Sequence, residues 1–271
     1  MERRPTKRLA SRTRENLHRD RRVQGARWRR TYGNYFGNRR TIAHFVRLAL
    51  GHLPRKKKLD IFYPCSGTGD LGESLVDALH HMGREAKLTI LDASSKMVEA
   101  NANPETTKIT GDLLRVQLRN RFDACIMRSS LDYFSEPKLQ VRALKKVREH
   151  LLPGGVFFNQ AASLATLAER QLADAIYRSN PRIGQRHFQC AQDIADLYHQ
   201  AGFRGLKKIG EAMALVITEK EHRERYGFTP ADIARIRALI RTMGPEKRKN
   251  IRLTRTGYRM RFEFPIYIAT A

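Results

Sequence analysis

Three glycines that follow a short apolar run are the first sign of chemistry in this sequence. Gly67, Gly69 and Gly72 have the spacing G-x-G-x-x-G and stand directly after the apolar run 59–63. Glycine permits positive φ angles and lets a ligand approach the backbone closely, so this run predicts a ligand-binding turn between a strand and a helix. The spacing alone is weak evidence, because a turn can hold three glycines for conformational reasons.

Two aspartates strengthen this prediction, because each ends one of the next two predicted strands. Asp92 stands 23 residues after Gly69, and Asp112 follows the strand predicted at 107–111. In an open parallel sheet, ligands bind outside the carboxyl ends of the strands. A carboxylate at the second strand can accept both hydrogen bonds of a ribose diol, and one at the third can meet an adenine amino group. Each aspartate alone could instead cap a helix or occupy a turn. Together they predict an adenosine-containing cofactor, either NAD or S-adenosylmethionine.

The elements that must position these residues are predicted by an alternation of apolar runs and helical stretches. Strands are predicted at 59–63, 87–91, 107–111, 122–127 and 155–160, and helices at 72–82, 96–102 and 139–151. Such alternation is typical of βαβ units and predicts an α/β fold with a doubly wound, mostly parallel sheet. A (β/α)₈ barrel needs eight such units, which the two ends of the chain do not supply.

The rest of the chain divides into a leading segment and a main domain. Residues 1–54 are predicted to hold a basic, partly disordered tail and capping helices that begin at Trp28, and residues 55–271 form the domain. Within the domain, we expect a helical insertion near 163–190 and a basic C-terminal extension that ends in a strand. The elements predicted in this half are helices at 163–177, 191–201 and 230–243, a turn at Asn180 and Pro181, and strands at 213–218 and 262–269.

Composition limits the class of protein and its partners. The 271 residues carry a net charge of +25, and the first 40 alone contain 14 Arg and Lys against three acids. The last 31 residues are also basic, so both ends favour an anionic partner. Cys65, Cys125 and Cys190 are far apart, which predicts no disulfide framework, no metal site and a reducing, cytoplasmic location. No apolar run approaches the roughly 20 residues that span a membrane.

Several segments together resemble class I S-adenosylmethionine-dependent methyltransferases, over about residues 40–218 with a final strand at 262–269. The segments that carry the resemblance are Leu59 to Gly72, Asp92, Gly111-Asp112, Phe122 to Phe134 and Leu151 to Phe158. The resemblance implies a Rossmann-like methyltransferase fold with an N-terminal helical extension. It also implies an enzyme that uses S-adenosylmethionine as its cofactor.

The resemblance further implies a role for each part of the site. Gly67 and Gly69 flank the methionine portion, Asp92 the ribose and Asp112 the adenine, while 129–133 lies near the transferable methyl group. The predicted cofactor-binding residues are Tyr63, Cys65, Ser66, Gly67, Gly69, Asp92, Asp112 and Ser129. This chain has Tyr63 where the family usually has an acidic residue and Cys65 where it usually has a glycine, which leaves the methionine amino group to Asp70 or a backbone carbonyl.

Methyl transfer depends on placing the acceptor in line with the S–CH₃ bond, so a catalytic base is not obligatory. If the acceptor is a hydroxyl or a protonated amine, a base within hydrogen-bond reach helps. Asp132, Tyr133 and His187 are the predicted catalytic residues by position. Each also has an ordinary structural interpretation: the start of a helix for Asp132, packing for Tyr133 and a surface or core histidine for His187.

The acceptor stays open between two classes. A small molecule would lie under a lid formed by 28–53 and 163–187, whose aromatic residues supply an apolar pocket. An RNA acceptor would explain the basic ends, although the N-P-P-Y type signature of many nucleic-acid amino methyltransferases is absent where Arg128-Ser129-Ser130 stand. The sequence slightly favours a small molecule. Two more functions stay open, an NAD-dependent oxidoreductase and a noncatalytic module that binds nucleic acid or a partner, and so does the oligomeric state.

Overall fold

The computed structural model describes residues 32–179 and 185–271. The predicted tail, Trp28 at the start of the predicted capping helices, and the predicted turn at Asn180 and Pro181 lie outside these residues. The first described helix, α1, spans Arg39–Leu50. Asn38 caps it, because its side chain accepts hydrogen bonds from the backbone N–H groups of Arg40 and Thr41.

The first half of the sheet consists of five parallel strands in the order β3-β2-β1-β4-β5. The strands are β1 Lys58–Pro64, β2 Glu85–Asp92, β3 Thr107–Thr110, β4 Phe122–Arg128 and β5 Leu151–Gln160. The helices between them are α2 Asp70–His81, α3 Ser95–Glu99 and α4 Pro137–Glu149. The prediction of an α/β fold with a mostly parallel sheet is confirmed.

Both faces of this sheet are covered, which explains the nearly continuous apolar sequences of its central strands. Successive residues of one strand pack into opposite cores, because side chains alternate across a strand. One core contains Ile61, Ile126, Phe158 and Ile266. The opposite core contains Phe62, Cys125, Phe157 and Tyr267.

The second half of the chain adds antiparallel strands to the edge at β5. Its strands are β6 Ser163–Leu164, β7 Gln189–Cys190, β8 Arg204–Thr218, β9 Ile251–Thr254 and β10 Gly257–Thr270. Its helices are α5 Leu167–Ser179, α6 Ala191–Gln200, α7 Glu219–Tyr226 and α8 Pro230–Thr242. β10 pairs antiparallel with β5 on one side and with β8 on the other.

β8 and β10 extend past the end of the parallel sheet. Ile266 of β10 pairs with Gln160, the last residue of β5, so residues 257–265 continue beyond the carboxyl end of β5. Residues 211–218 of β8 and all of β9 pair with this part of β10. We call residues 211–218, 251–254 and 257–265 the antiparallel extension. It stands over the edge of the sheet at which the predicted site residues lie.

The helices predicted at 191–201 and 230–243 are confirmed as α6 and α8, but other boundaries predicted in this second half were wrong. The stretch predicted as a helix from residue 163 begins with β6, and its helix starts only at Leu167. The strands predicted at 213–218 and 262–269 are both much longer, and α7 and β9 were not predicted. The reason is that the antiparallel extension is buried on one face only, so exposed Arg259 and Arg261 interrupt the apolar run of β10.

Within the described residues, no helix is both long enough and apolar enough to cross a bilayer.

A buried histidine ties α7 to the antiparallel extension and makes stability depend on pH. His222 is fully buried, its Nδ1 lies 2.7 Å from the Tyr258 hydroxyl, and its Nε2 lies 3.4 Å from the Tyr177 hydroxyl. Burial, and then the charge of Arg225, lower the pKa of His222 to about 3. The folded protein therefore holds His222 neutral, whereas the unfolded chain takes up a proton near the ordinary histidine pKa of about 6.5.

This contribution to stability is present above about pH 6.5 and is lost progressively as the pH falls toward 3. Between pH 7 and pH 5, we expect it to lower the free energy of unfolding by about 2 kcal/mol. His222→Gln should lose that part of the pH dependence, as measured by urea unfolding at pH 7, 6 and 5. The exposed His52→Gln is the control and should follow the unmodified protein. Parallel curves for His222→Gln and the unmodified protein would contradict the interpretation.

Candidate active site

The turn after β1 is fastened to the end of β2. The backbone N–H of Ser66 donates to the carbonyl oxygen of Leu91 at 3.1 Å, and that of Gly67 donates to Oδ2 of Asp92 at 2.9 Å. Gly67 has φ +58°, and a Cβ added there would meet only the Met97 Cε at 3.8 Å. The backbone of the turn is therefore open on that side, as a ligand-binding turn requires.

The second glycine of the turn, Gly69, is in close contact with the side chain of Asn101. Gly69 begins α2 with φ +84°, and a Cβ there would come within 2.7 Å of the Asn101 Nδ2. Asn101 donates to the Thr68 carbonyl at 3.1 Å and to Oε1 of Glu73 at 2.7 Å. The hydrogen bonds of Asn101 hold the turn in place from one side and leave its opposite side open to a ligand.

Asp92 and Asp112 lie at the ends of β2 and β3, as predicted. Oδ1 of Asp92 accepts a hydrogen bond from the Ser94 N–H at 2.9 Å, while Oδ1 of Asp112 accepts one from the Leu114 N–H at 2.9 Å. Burial raises the pKa of Asp92 to about 6, although backbone N–H groups oppose the rise. Asp92 is therefore an ionised hydrogen-bond acceptor at neutral pH.

Two residues other than glycine hold left-handed backbone angles where β1 and β4 end. Cys65 has φ +52° and Ser129 has φ +49°, a conformation that costs an ordinary L-residue about 1–2 kcal/mol. Ser130 joins the two segments, since its Oγ lies 3.3 Å from the Cys65 carbonyl oxygen and 2.8 Å from that of Arg128. Backbone strain of this kind is concentrated at functional sites in proteins.

Several of the predicted residues converge on Cys65. Burial raises the pKa of its thiol, and the carboxylates of Asp92, Asp112 and Asp132 raise it further. These carboxylates follow three different strands, and the parallel sheet brings them to one edge. Nearby, the Ser129 Oγ is buried and has no hydrogen-bond partner among the described residues. An unsatisfied hydroxyl at this edge is available to a ligand.

Two predicted cofactor-binding residues, Tyr63 and Ser66, are buried in the structure. Tyr63 is buried, and a Cβ on Gly72 would come within 3.0 Å of its ring. Burial raises the pKa of Tyr63, and Arg128 opposes the rise. Ser66 is also buried, and its Oγ donates to the Gly67 carbonyl at 3.3 Å. The structure thus uses Tyr63 as packing beneath the turn.

A cavity opens beside Ser129, between the end of β4 and the antiparallel extension. It holds about 430 Å³ of empty space, part of it open to solvent. Most of the described lining is aromatic or aliphatic, and the charged groups among the described residues are Asp132, Arg186 and Arg225. The described lining residues are Tyr32, Phe36, Ser129, Asp132, Tyr133, Ala162, Tyr177, Arg186, Phe188, Leu215, Ile217, Arg225, Tyr226, Phe262 and Phe264.

Two of the three predicted catalytic residues line this cavity. Oδ2 of Asp132 lies 3.4 Å from the Arg186 Nη1, and the guanidinium carbon of Arg186 lies 3.1 Å from the centre of the Tyr133 ring. The His187 ring lies elsewhere. Its Nε2 accepts a hydrogen bond from Arg170 at 2.8 Å, so its Nδ1–H donates to Asp174 at 3.1 Å.

The cavity residues that sequence reasoning missed come mainly from the second half of the chain. Tyr32, Phe36, Tyr177 and Arg186 belong to the segments predicted to form a lid. In contrast, Arg225, Tyr226, Leu215, Ile217, Phe262 and Phe264 were not predicted to lie at the site. No local spacing connects these residues, because α7, β8 and β10 meet only in the folded protein. The one signal in the sequence is the alternation Phe262-Glu263-Phe264, which is typical of a half-buried strand.

No group of three or more His, Cys, Asp and Glu side chains in the described part of the chain could hold a metal ion.

Comparison with known proteins relates the parallel half of the sheet to methyltransferase domains. Residues 61–155 match a methyltransferase domain family. This range contains the turn after β1, Asp92, Asp112 and β4. The matched residues form a methyltransferase domain, and this match together with the fold supports a class I methyltransferase. The family and the fold imply S-adenosylmethionine as the methyl donor.

Solved structures share the fold over most of the chain. The YcgJ protein of Bacillus subtilis has a TM-score of 0.66 at 14% identity, over 84% of this chain and 98% of its own. A protein of Bacillus halodurans C-125 that is described as a methyltransferase has the same TM-score and identity, over 84% of this chain and 97% of its own. At this identity, the likeness shows the fold alone. No functionally curated protein matches the sequence.

Proposed function

We propose that this protein transfers the methyl group of S-adenosylmethionine to a small molecule bound in the cavity beside Ser129. The observation that carries the proposal is the position of the cavity. It shares Ser129 and Asp132 with the sheet edge at which Cys65, Asp92 and Asp112 converge. Its mostly apolar lining with a few polar side chains is typical of small-molecule sites.

The chain's residues fit the methyl donor. Gly67 and Gly69 would flank its methionine part, Asp92 would bind the ribose hydroxyls and Asp112 would lie at the adenine. The open side of Gly67 and the unpartnered Ser129 hydroxyl support this placement. When bound, S-adenosylmethionine supplies a methyl group on a sulfonium, whose S–CH₃ electron pair stays on sulfur while an acceptor lone pair forms the new bond.

The chain's contribution to the reaction is mainly to orient the acceptor and exclude water. The cavity walls hold the acceptor, which turns a bimolecular step into an effectively unimolecular one. Asp132 is the base that takes the proton of an acceptor hydroxyl or amine, because among the described residues only its carboxylate lines the cavity. Arg186 fixes the Asp132 carboxylate through their ion pair, while Tyr133 forms part of the wall.

A second candidate function is methylation of RNA, and one observation favours it. Arg252 and Arg259 are cross-strand neighbours on the exposed face of the antiparallel extension, and Arg261 lies two residues further along the same face. Two like charges directly opposite each other destabilise a sheet, so this pair of arginines has a cost that a bound anion would offset. Three arginines on one exposed face are suited to a phosphate backbone, which arginine binds through its planar guanidinium group.

Calorimetry followed by a labelling experiment tests both candidates. The full chain should bind S-adenosylmethionine and S-adenosylhomocysteine but not NADH. With S-adenosylmethionine labelled in its methyl group, label should then enter a metabolite fraction. Label that enters only RNA would replace the small-molecule proposal by RNA methylation. Binding of NADH without either sulfur compound would overturn the proposal altogether.

A further inference from the structure

Arg128 ends β4 with a guanidinium group whose hydrogen-bonding capacity is only partly used. Its Nη2 donates to the carbonyl oxygen of Phe36 at 2.7 Å, and the guanidinium carbon lies 5.4 Å from the centre of the Phe36 ring. Its Nη1 is buried and has no hydrogen-bond partner among the described residues. None of the described acidic side chains forms an ion pair with it. Burying a charged group without partners costs free energy, so Nη1 is suited to an anion.

The backbone of Arg128 lies beside the turn after β1. Phe62 of β1 pairs with Cys125 of β4, so Cys65 and Arg128 each follow three residues further toward the carboxyl edge of the sheet. The Ser130 Oγ contacts the carbonyl oxygens of both, at 3.3 Å from Cys65 and 2.8 Å from Arg128. The guanidinium therefore belongs to the same edge of the sheet as the proposed donor site.

Two neighbours of Arg128 also have buried polar atoms without a partner. Gln160, which pairs with Arg128 across β4 and β5, is 0% exposed. Neither its Oε1 nor its Nε2 has a hydrogen-bond partner among the described residues, and the same is true of the Ser129 Oγ. Folded proteins leave few buried polar atoms unpaired, so three adjacent cases at the carboxyl edge of a sheet indicate a polar ligand.

The surroundings of Tyr63 show which charges lie near Arg128. Burial raises the pKa of Tyr63, Arg128 opposes the rise, and the carboxylates of Asp70 and Asp92 add to it. The guanidinium and these carboxylates therefore lie around one buried ring beneath the turn. A zwitterion with its ammonium group toward Asp70 and its carboxylate toward Arg128 would match this arrangement. The methionine part of the proposed donor is such a zwitterion.

We propose that Arg128 binds the carboxylate of the methionine part of S-adenosylmethionine through its Nη1. The inference rests on the proposed function, since it concerns the donor of the same site. Arg128 is not among the described residues that line the cavity, which separates it from the acceptor. Arginine suits this role because its guanidinium keeps its charge and donates hydrogen bonds in fixed directions. Because Phe36 holds Nη2, the orientation of Nη1 is set before the donor binds.

Calorimetric titration of the full chain with three adenosine compounds tests the inference. S-adenosylmethionine has the carboxylate, decarboxylated S-adenosylmethionine lacks it but keeps the ammonium and sulfonium groups, and 5′-methylthioadenosine lacks the whole amino acid part. We expect S-adenosylmethionine to bind at least about tenfold more tightly than the decarboxylated compound, because charge-assisted hydrogen bonds are roughly twice as strong as neutral ones. Equal affinities of these two compounds would overturn the inference.

Variants of Arg128 assign the effect to one side chain. Arg128→Gln should reduce the preference for the carboxylate to less than about threefold, whereas Arg128→Lys keeps the charge and should keep part of the preference. Neither variant should change the affinity for 5′-methylthioadenosine by more than about twofold, because this compound has no carboxylate. An undiminished preference in Arg128→Gln, or an equal loss of affinity for all three compounds, would show that Arg128 does not act on the carboxylate.

The matched control is Arg121→Gln. Arg121 is exposed and directly precedes β4, at the opposite edge of the sheet from Arg128. The control removes the same charge from a chain with a net charge of +25, so it measures the general attraction of the chain for an anionic group. It should bind the three compounds as the unmodified protein does. An equal loss of preference in Arg121→Gln and Arg128→Gln would overturn the inference, because a direct contact cannot explain it.

The same titrations distinguish failure of this inference from failure of the proposed function. If S-adenosylmethionine, S-adenosylhomocysteine and 5′-methylthioadenosine all fail to bind, the proposed function has failed. Binding of S-adenosylmethionine without a preference over the decarboxylated compound overturns the inference and leaves the proposed function standing. Thermal melting shows whether each variant folds. Should Arg128→Gln not fold, Arg128→Lys decides the matter, and an unchanged preference in that variant would overturn the inference.

Discussion

Asp92→Ala is expected to weaken binding of S-adenosylhomocysteine by at least about 100-fold, because hydrogen bonds to a charged group contribute about 1.5–3 kcal/mol each. In the proposed site, the Asp92 carboxylate accepts hydrogen bonds from the ribose hydroxyls. It also accepts one from the Gly67 N–H and one from the Ser94 N–H. The variant therefore loses direct contacts and also an attachment that holds the turn. Isothermal titration calorimetry at pH 7.5 measures the effect.

The matched control for Asp92 is Asp60→Ala. Asp60 is an exposed aspartate near the opposite end of β1, so its removal should leave the affinity unchanged within about twofold. A second check uses the pKa of Asp92, which burial raises to about 6. Lowering the pH from 7.5 to 5 protonates this carboxyl, so the affinity of the unmodified protein should fall. Equal affinity for Asp92→Ala and the unmodified protein would place the ribose elsewhere.

The parallel half of the fold could be predicted because burial on both faces leaves a strong trace in a sequence. β4 is buried at every position from Phe122 to Met127, and apart from Asp123 it is one apolar run. The carboxyl ends of parallel strands meet at one edge. The positions of Asp92 and Asp112 in the chain therefore already indicated where they would lie.

The antiparallel extension could not be predicted in the same way. Its strands alternate between a buried and an exposed face, and the exposed positions of β10 carry arginine. In a chain with a net charge of +25, buried Arg186 and Arg225 are not distinguishable by residue type from the many exposed arginines. Their burial arises from contacts between segments that are distant in sequence. The charge of the cavity is therefore a property of the folded chain.

The two departures from the usual family pattern have different physical consequences. Cys65 adopts the left-handed conformation that favours glycine, so the turn keeps its shape at a cost in backbone strain. Tyr63 cannot replace a carboxylate, because its phenol is buried and burial raises its pKa, so it carries no negative charge at neutral pH. Asp70 directly follows the turn, at the first position of α2, and the Thr68 hydroxyl donates a hydrogen bond to its carboxylate at 2.9 Å. Asp70 is therefore the stronger candidate for the amino group of the methyl donor.

Asp132→Asn is expected to lower the rate of methyl incorporation by about 100-fold to 10,000-fold, the usual contribution of a general base. Asparagine has the size of aspartate and keeps one acceptor oxygen beside Arg186, so we expect this variant to fold. A smaller residue would leave the buried charge of Arg186 without the Asp132 side chain. The rate is measured on the metabolite fraction that the unmodified protein labels.

The exposed Asp77→Asn is the control for the loss of one negative charge, and it should label that fraction at the normal rate. The affinity of Asp132→Asn for S-adenosylhomocysteine should change by less than about threefold, because Asp132 acts on the acceptor. This combination separates a lost base from a damaged donor site. If Asp132→Asn transfers methyl groups at the normal rate, then proximity and orientation in the cavity account for catalysis without a base.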